Sequence, residues 1–274
     1  MRIALLQMTS GIDPAVNARV LADAIGDARA QGAAMVFTPE MSGLIDRDRA
    51  RAARSIADEG DDRVLAAVRA AAATHGLWVQ LGSLAIKRAD GRLANRAFVI
   101  DDRGAIRARY DKIHLFDVDL PTGERWRESA AYAPGEEAVV VETAAGSLGL
   151  SICYDLRFPA LYQALSAAGA TSLAIPSAFT RPTGAAHWHV LMRARAIESA
   201  AFVIAAAQTG LHEDGRETFG HSLVVDPWGE VLLDMGEPAG LAVVDLDPSR
   251  VAEVRSRLPV IAHRRAIAPV GSVS

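Results

Sequence analysis

Apolar and polar positions alternate along this chain in blocks whose period changes from two to about 3.6 and back. Arg2-Ile3-Ala4-Leu5-Leu6-Gln7-Met8 is a short, nearly continuous apolar run, the pattern of a strand buried on both faces. A helix is predicted over about 14–31: Asp13 can cap it, Pro14 suits its first turn, and Gly32 can end it. Val16, Val20, Leu21, Ile25 and Ala28 give that helix one apolar face. Met35-Val36-Phe37 predicts a second buried strand that runs out at Thr38-Pro39-Glu40. A helix near 62–75 and strands near 77–86 and 96–101 follow, with a turn at Asp102-Arg103-Gly104. Residues 110–136 carry many polar side chains and no clear period, and a connection of that length inside a compact domain is usually functional. The second half repeats the alternation, with strands near 138–143 and 147–152, a helix at 158–168, a strand at 171–175, a helix at 185–199 and a strand at 201–207. Strand-like runs at about 219–226, 230–234 and 240–246 lead to a last helix at 248–257. No linker, low-complexity run or short repeat divides residues 1–274, so the pattern predicts one α/β domain with sheet buried beneath outer helices.

Composition changes this picture mainly by exclusion. The 274 residues are 50% apolar and 23% charged with a formal net charge of -4, which is ordinary globular composition without the basic footprint of a nucleic-acid binder. No apolar stretch reaches the length of a membrane span; Glu198 interrupts the best candidate, Ala194 to Gln208. The first residues are too short an apolar run for a signal-peptide core, and with a single cysteine the expected location is the reducing cytoplasm.

That cysteine carries the chemistry. Cys153 ends the run Gly149-Leu150-Ser151-Ile152, and polar, loop-like residues follow at once in Tyr154-Asp155-Leu156-Arg157. This is how a group is presented at the carboxyl end of a buried strand, where open α/β sheets place their ligands. Two other polar groups stand at comparable places: Glu40 closes its own strand, and Lys112 opens the long connection in Tyr110-Asp111-Lys112-Ile113-His114-Leu115. Taken singly, the charges read as solvated surface groups and the thiol as packing. Together they supply what amide hydrolysis through a thioester needs: a thiol nucleophile, a carboxylate to take its proton and an ammonium to stabilise the oxyanion. The carboxylate opposes thiolate formation and the ammonium favours it, so the sign of the Cys153 pKa shift stays open. Glu128, in Trp126-Arg127-Glu128-Ser129, lies in the same connection and is placed to orient the lysine or handle a proton.

Phe37-Thr38-Pro39-Glu40, Tyr110-Asp111-Lys112-Ile113-His114-Leu115 and Gly149-Leu150-Ser151-Ile152-Cys153-Tyr154-Asp155 resemble, in order and at similar spacing, the three signatures of the nitrilase superfamily of carbon–nitrogen hydrolases. The resemblance covers nearly the whole chain. It implies a four-layer αββα sandwich, a Glu40–Lys112–Cys153 triad, Glu128 as a second glutamate, the Tyr154 N–H as an oxyanion donor, and no cofactor. It also implies a homodimer packed through outer helices and the chain's end, with about 259–274 as an extended tail at the interface. His114-Leu115-Phe116-Asp117, Arg127-Glu128-Ser129, Ser177-Ala178-Phe179, Thr183-Gly184 and His187-Trp188 resemble the branch of amidases that act on deaminated glutathione and on 2-oxoglutaramate. Two stretches, Arg193 to Glu198 and Ala205 to Gln208, lean toward the former substrate, while Thr180-Arg181-Pro182 departs from the pattern. Such a substrate carries carboxylates that need buried cations, and Arg157 and Arg127 are the candidates, with Phe179 and Thr183 beside them.

Other chemistries are weaker. Gly149-Leu150-Ser151-Ile152-Cys153 resembles a serine nucleophile elbow with cysteine at its final glycine, and Asp226 and His263 would have to complete that triad. A Cys–His–acid hydrolase would pair Cys153 with His187 or His221. The seven histidines form no H-E-x-x-H motif, His187 and His189 should diverge on a helix, and no phosphate loop or dinucleotide fingerprint appears. Arg195 and Glu198 read as a structural i,i+3 ion pair. A pseudoenzyme scaffold is the non-enzymatic alternative, against which the intact Glu40, Lys112 and Cys153 argue.

Overall fold

The computed structural model describes residues 1–119, 123 and 125–268. Its first six-stranded sheet contains β1 (Arg2–Gln7), β2 (Met35–Phe37), β3 (Trp78–Lys87), β4 (Leu93–Ile100), β5 (Ile106–Asp111) and β16 (Gly240–Asp245), in the order β16-β1-β2-β3-β4-β5. The second contains β8 (Val140–Thr143), β9 (Gly146–Leu150), β10 (Ser172–Ala174), β11 (Phe202–Ala205), β14 (Leu223–Val225) and β15 (Val231–Asp234), in the order β15-β14-β11-β10-β9-β8. Each sheet has a parallel centre, β1-β2-β3 in one and β9-β10-β11 in the other, flanked by antiparallel strands.

The parallel centres are apolar on both faces because both faces are covered. Ile3, Leu5, Met35 and Phe37 point toward the second sheet and join a core with Leu148, Leu150, Ala174 and Ile204. Ala4, Leu6 and Val36 point the other way, under helices α1 (Pro14–Ala30) and α3 (Arg63–His75). Helices α4 (Pro159–Ala167) and α5 (Arg181–Ser199) cover the far face of the second sheet through Leu161, Leu165, Trp188 and Met192. The layers are therefore helix, sheet, sheet, helix, as the family resemblance implies.

Local signals account for the helix ends. Asp13 caps α1 by accepting from the Ala15 N–H at 2.8 Å, and Asp62 caps α3 by accepting from the Leu65 N–H at 2.7 Å. Gly76, at φ 61, closes α3 in the left-handed conformation. Helix α5 begins at Arg181 rather than near 185, since Thr180 is extended and Pro182 fits the first turn. The expected strand over 219–226 is broken: β13 (Glu217–Phe219) pairs with β12 (Thr209–Leu211), and Gly220 at φ 74 and His221 at φ 56 turn the chain before β14. A short helix α2 (Arg49–Ala52) and α6 (Ser249–Arg257) complete the set.

The connection over 110–136 is less irregular than its sequence suggests. β5 pairs along β4, then β6 (Asp117–Asp119) and β7 (Arg125–Arg127) form a small ribbon, and a 3-10 turn follows at Glu128–Ala130. Arg264 ties the chain's end to α4 and α5 by donating to the Gln163 carbonyl, the Ser166 hydroxyl and the Glu198 carbonyl. Of the expected tail, 269–274 lies outside the described residues. Among those described, no helix is long and apolar enough to cross a membrane.

Candidate active site

The site is assembled from both sheets. Glu40 follows β2 and Cys153 follows β9, both at carboxyl ends of parallel strands, while Lys112 follows the edge strand β5. The turn holding Glu40 is tight. The Gly82 N–H donates to Thr38 Oγ1 at 2.9 Å, and a Cβ on Gly82 would lie 2.1 Å from the Thr38 carbonyl, so this crossing requires glycine. The β3–β4 register shifts between Leu81 and Leu84, which keeps both Leu81 and Leu84 on the helix-covered face while the backbone bends past the turn. From the second sheet, Gln208 donates to the Glu40 carbonyl at 3.0 Å.

Cys153 opens a 3-10 turn, Cys153–Arg157, at φ 49, a left-handed backbone that a non-glycine residue keeps only when its surroundings enforce it. Asp155 is that enforcement. Its fully buried carboxylate accepts from the Ile152 N–H at 2.9 Å, the Tyr110 hydroxyl at 2.7 Å and the His114 N–H at 3.0 Å, and lies 2.7 Å from His114 Nδ1. Cys153 itself donates its N–H to the Pro176 carbonyl at 2.9 Å. Tyr154 is second in the turn, so the turn's own ladder has no use for its N–H. Arg195 donates to the Leu156 carbonyl at 3.0 Å and pairs with Glu198 at 2.8 Å, bracing the turn from α5 as a structural ion pair.

The three groups meet in the interior. Lys112 Nζ lies 2.9 Å from Glu40 Oε1 and 2.9 Å from Glu128 Oε2, bridging the two carboxylates. Glu40 Oε2 accepts from the Ala178 N–H at 3.0 Å, and the Cys153 thiol lies close enough to Glu40 for the carboxylate to shift its titration. Asn95, mid-way along β4, donates from one Nδ2 to both Glu40 and Glu128 at 3.0 Å, and no feature of the sequence singled it out. Glu128 is held in turn by the Phe116 N–H at 2.7 Å. Glu40, Lys112 and Cys153 are exposed by only 5%, 2% and 8%, so water screens their charges little.

Burial pulls against the Glu40 carboxylate, yet the Lys112 ammonium, the Cys153 thiol and the hydrogen bonds from Lys112 and Asn95 outweigh it and hold its pKa below the ordinary value. Burial, and then the charge of Glu40, push the Cys153 thiol well above the ordinary cysteine range; Lys112 and the Ala178 N–H offset this only in part. Burial would lower Lys112, but Glu128 and Glu40 raise it well above a free lysine. The resting state is thus a neutral thiol beside a carboxylate and an ammonium, which answers the question of sign that the sequence left open.

Arg157 lies against two rings, 5.4 Å from the Phe179 centroid and 5.9 Å from that of Tyr154, and 3.3 Å from His187 Nδ1. Phe179 is itself fixed edge-on to Trp188 at 5.0 Å. Thr183 uses its hydroxyl on Thr180, at the first turn of α5. Arg127 is not brought to the others: its guanidinium is taken by Asp119 at 2.8 Å and by the Val118 carbonyl at 3.0 Å within the β6–β7 ribbon. Ser151 cannot serve as a nucleophile, because its hydroxyl is buried between Tyr162 and the Ala174 carbonyl, both at 2.9 Å. His187 and His221 are engaged by Arg157 and Asp234 and make no hydrogen bond with Cys153. His189, His221 and Asp234 could hold a cation, with ligand atoms within 4.8 Å of one another, but share no hydrogen bond with the triad.

Similar proteins are known. The chain is 37% identical over 268 residues to a deaminated glutathione amidase of Yersinia enterocolitica, covering 97% of this chain and 93% of that one. The crystal structure of the C. elegans NitFhit protein superposes with a TM-score of 0.89 at 40% identity, over 96% of this chain and 65% of that longer one. A mutant of the amidase from Nesterenkonia sp. AN1, whose active-site cysteine has undergone Michael addition of acrylamide, superposes with a TM-score of 0.79 at 30% identity, over 94% of this chain and 98% of that one. The family model for carbon–nitrogen hydrolases matches residues 2–256. With that match, the shared sandwich and a cysteine set beside glutamate and lysine at the strand ends, the chain belongs to the carbon–nitrogen hydrolase family.

Proposed function

We propose that this protein is an amidase that cleaves a linear C–N bond through a Cys153 thioester. The observation that carries the reading is the buried Glu40 carboxylate, paired with Lys112 at 2.9 Å and close enough to the Cys153 thiol to raise its pKa. Since the thiol is held protonated, its proton passes to Glu40 as Sγ attacks the amide carbon. Charge then develops on the carbonyl oxygen, where Lys112 and the Tyr154 N–H stabilise it. Glu40 returns the proton to the departing amine and next takes one from the water that hydrolyses the thioester. Glu128 and Asn95 position Lys112 and Glu40 through both steps.

The substrate we assign is deaminated glutathione, giving 2-oxoglutarate and cysteinylglycine. The similarity to a deaminated glutathione amidase supports this, as does Arg157 beside the nucleophile turn, a cation with no carboxylate partner among the described residues. Arg157 would bind the 2-oxo acid carboxylate, with Phe179 and the Thr183 end of α5 shaping that side. A homodimer, which the family resemblance implies, and a cytoplasmic location, expected from the single cysteine, belong to the same reading. The test is kcat/KM on one enzyme preparation for deaminated glutathione and 2-oxoglutaramate. The peptide should be the better substrate; the reverse order would make the enzyme an ω-amidase, and inactivity on both would leave only the general amidase reading.

A further inference from the structure

A second cationic place borders the site, on residues that the mechanism does not use. Arg216, between β12 and β13, lays its guanidinium over the Trp126 ring at 4.7 Å. Its Nε and the Trp126 Nε1 are both buried and have no hydrogen-bond partner. The nearest acid, Asp214, stands 3.6 Å from Arg216 Nη2, an ion pair too long for a hydrogen bond. Asp214 Oδ2 is likewise buried without a hydrogen-bond partner, so it can answer one guanidinium donor by a small shift. Arg216 Nε and the Trp126 N–H still call for an acceptor that binding would bring, because buried N–H donors are almost always satisfied. Arg216 is also largely buried and near enough to Glu40 for that carboxylate to act on its charge.

The rings connect this place to the nucleophile. Trp126 lies 6.2 Å from Phe116, Phe116 lies 5.1 Å edge-on to Tyr154, and Tyr154 carries Arg157 at 5.9 Å. Three aromatic rings therefore run from Tyr154, next to Cys153 in the chain, to Trp126, with Arg157 on Tyr154 at one end and both Arg216 and Arg47 (5.2 Å) on Trp126 at the other. A substrate about three residues long spans roughly 10 Å when extended and, in the case of deaminated glutathione, bears a carboxylate at each end.

We propose that Arg216, seated on Trp126, binds the terminal carboxylate of a peptide leaving group, while Arg157 binds the carboxylate on the acyl side. This deepens the substrate reading above and rests on it. Arg216 is then the residue that separates a peptide amide from a simple amide: a guanidinium presents its donors in a fixed fork that matches a carboxylate, and the Trp126 N–H adds a third. The leaving group departs with its carboxylate still charged, so Arg216 takes no part in proton transfer.

The test compares deaminated glutathione with the same molecule carrying a C-terminal glycinamide. In the wild type, loss of that charge should lower kcat/KM roughly ten- to a hundredfold, as expected for hydrogen bonds to a charged group. In Arg216→Gln the ratio between the two substrates should collapse toward one, and Arg216→Lys should keep part of it. Should Arg216→Gln fail to fold, inhibition of the wild type by cysteinylglycine but not by cysteinylglycinamide supports the same assignment. Equal rates on acid and amide in the wild type, or an undiminished ratio in Arg216→Gln, overturn the Arg216 proposal while the substrate reading stands. A wild type that hydrolyses neither peptide overturns the substrate reading and the proposal with it.

Discussion

Replacing Asp155 by alanine separates the scaffold of the nucleophile from its chemistry. The change removes an acceptor shared by the Ile152 N–H, the Tyr110 hydroxyl and the His114 N–H. His114 is partly exposed, so water can reach its donor, but Tyr110 and Ile152 are 1% and 0% exposed and would be left unpaired. An orphaned buried donor costs about 1–3 kcal/mol, so two place the destabilisation near 4 kcal/mol. For a chain of this size that is a fall in Tm of about 10 °C. Thermal unfolding followed by circular dichroism measures it, with kcat on the folded variant measured below the transition. Activity should fall as well, since the Ile152 bond helps hold Cys153 at its left-handed φ. Asp155→Asn, which keeps one acceptor but turns a donor toward donors, should lie between. A variant with Tm within about 2 °C of the wild type would refute the reasoning. So would normal turnover by a variant whose fold is measurably loosened.

The charged groups give further tests. Lys112→Met should lose about a hundred- to a thousandfold in kcat, the usual cost of one oxyanion donor, and Glu40→Gln at least as much, because it removes base and acid together. A near-normal Glu40→Gln enzyme would discard the scheme. Cys153→Ala should be inactive yet folded, with alkylation of the wild type confined to Cys153. Since the folded thiol titrates well above its ordinary value of 9.0, iodoacetamide labelling should keep rising through pH 9; a plateau below pH 8 would show a thiolate instead. The same shift has a sign in stability. The unfolded chain releases this proton first, so Cys153 contributes a loss of stability as pH rises above about 9, and Lys112, also raised, a loss as pH rises through its own higher range. Glu40, lowered, contributes stability above the ordinary carboxylate range that is lost as pH falls through its folded pKa.

Where burial is on both faces, the sequence is easy to read. Ile3, Leu5, Met35 and Phe37 had to lie in covered strands, and Glu40 and Cys153 stand out because a polar group ends each run. Edge elements are harder. β5 alternates Arg107 and Arg109 with Ile106 and Ala108, so only half its face resembles core, and its charges pair with Asp101 and Glu59. Asn95 was invisible because a lone amide in an apolar strand has no periodic signature; its meaning comes from carboxylates brought in by other loops. Arg127 was misleading for the opposite reason. It neighbours Glu128 in sequence, but the 3-10 turn sends Glu128 inward while the ribbon pairs Arg127 with Asp119. Arg216 lies ninety positions from Trp126, and only folding brings the two together.

The triad draws its base and its cation from one sheet and its nucleophile from the other, so the proton path crosses the seam between them. Hydrogen bonds tolerate only a few tenths of an ångström, whereas side chains packed in that seam set how far apart the sheets stand. Turnover is therefore a gauge of intersheet spacing. Trimming Phe37 or Leu150, which never touch substrate in this scheme, should lower kcat more than KM by widening the gap that a proton must cross. Activity should also fade on heating before the helices melt, because the seam need only breathe for the thiol and its base to part company.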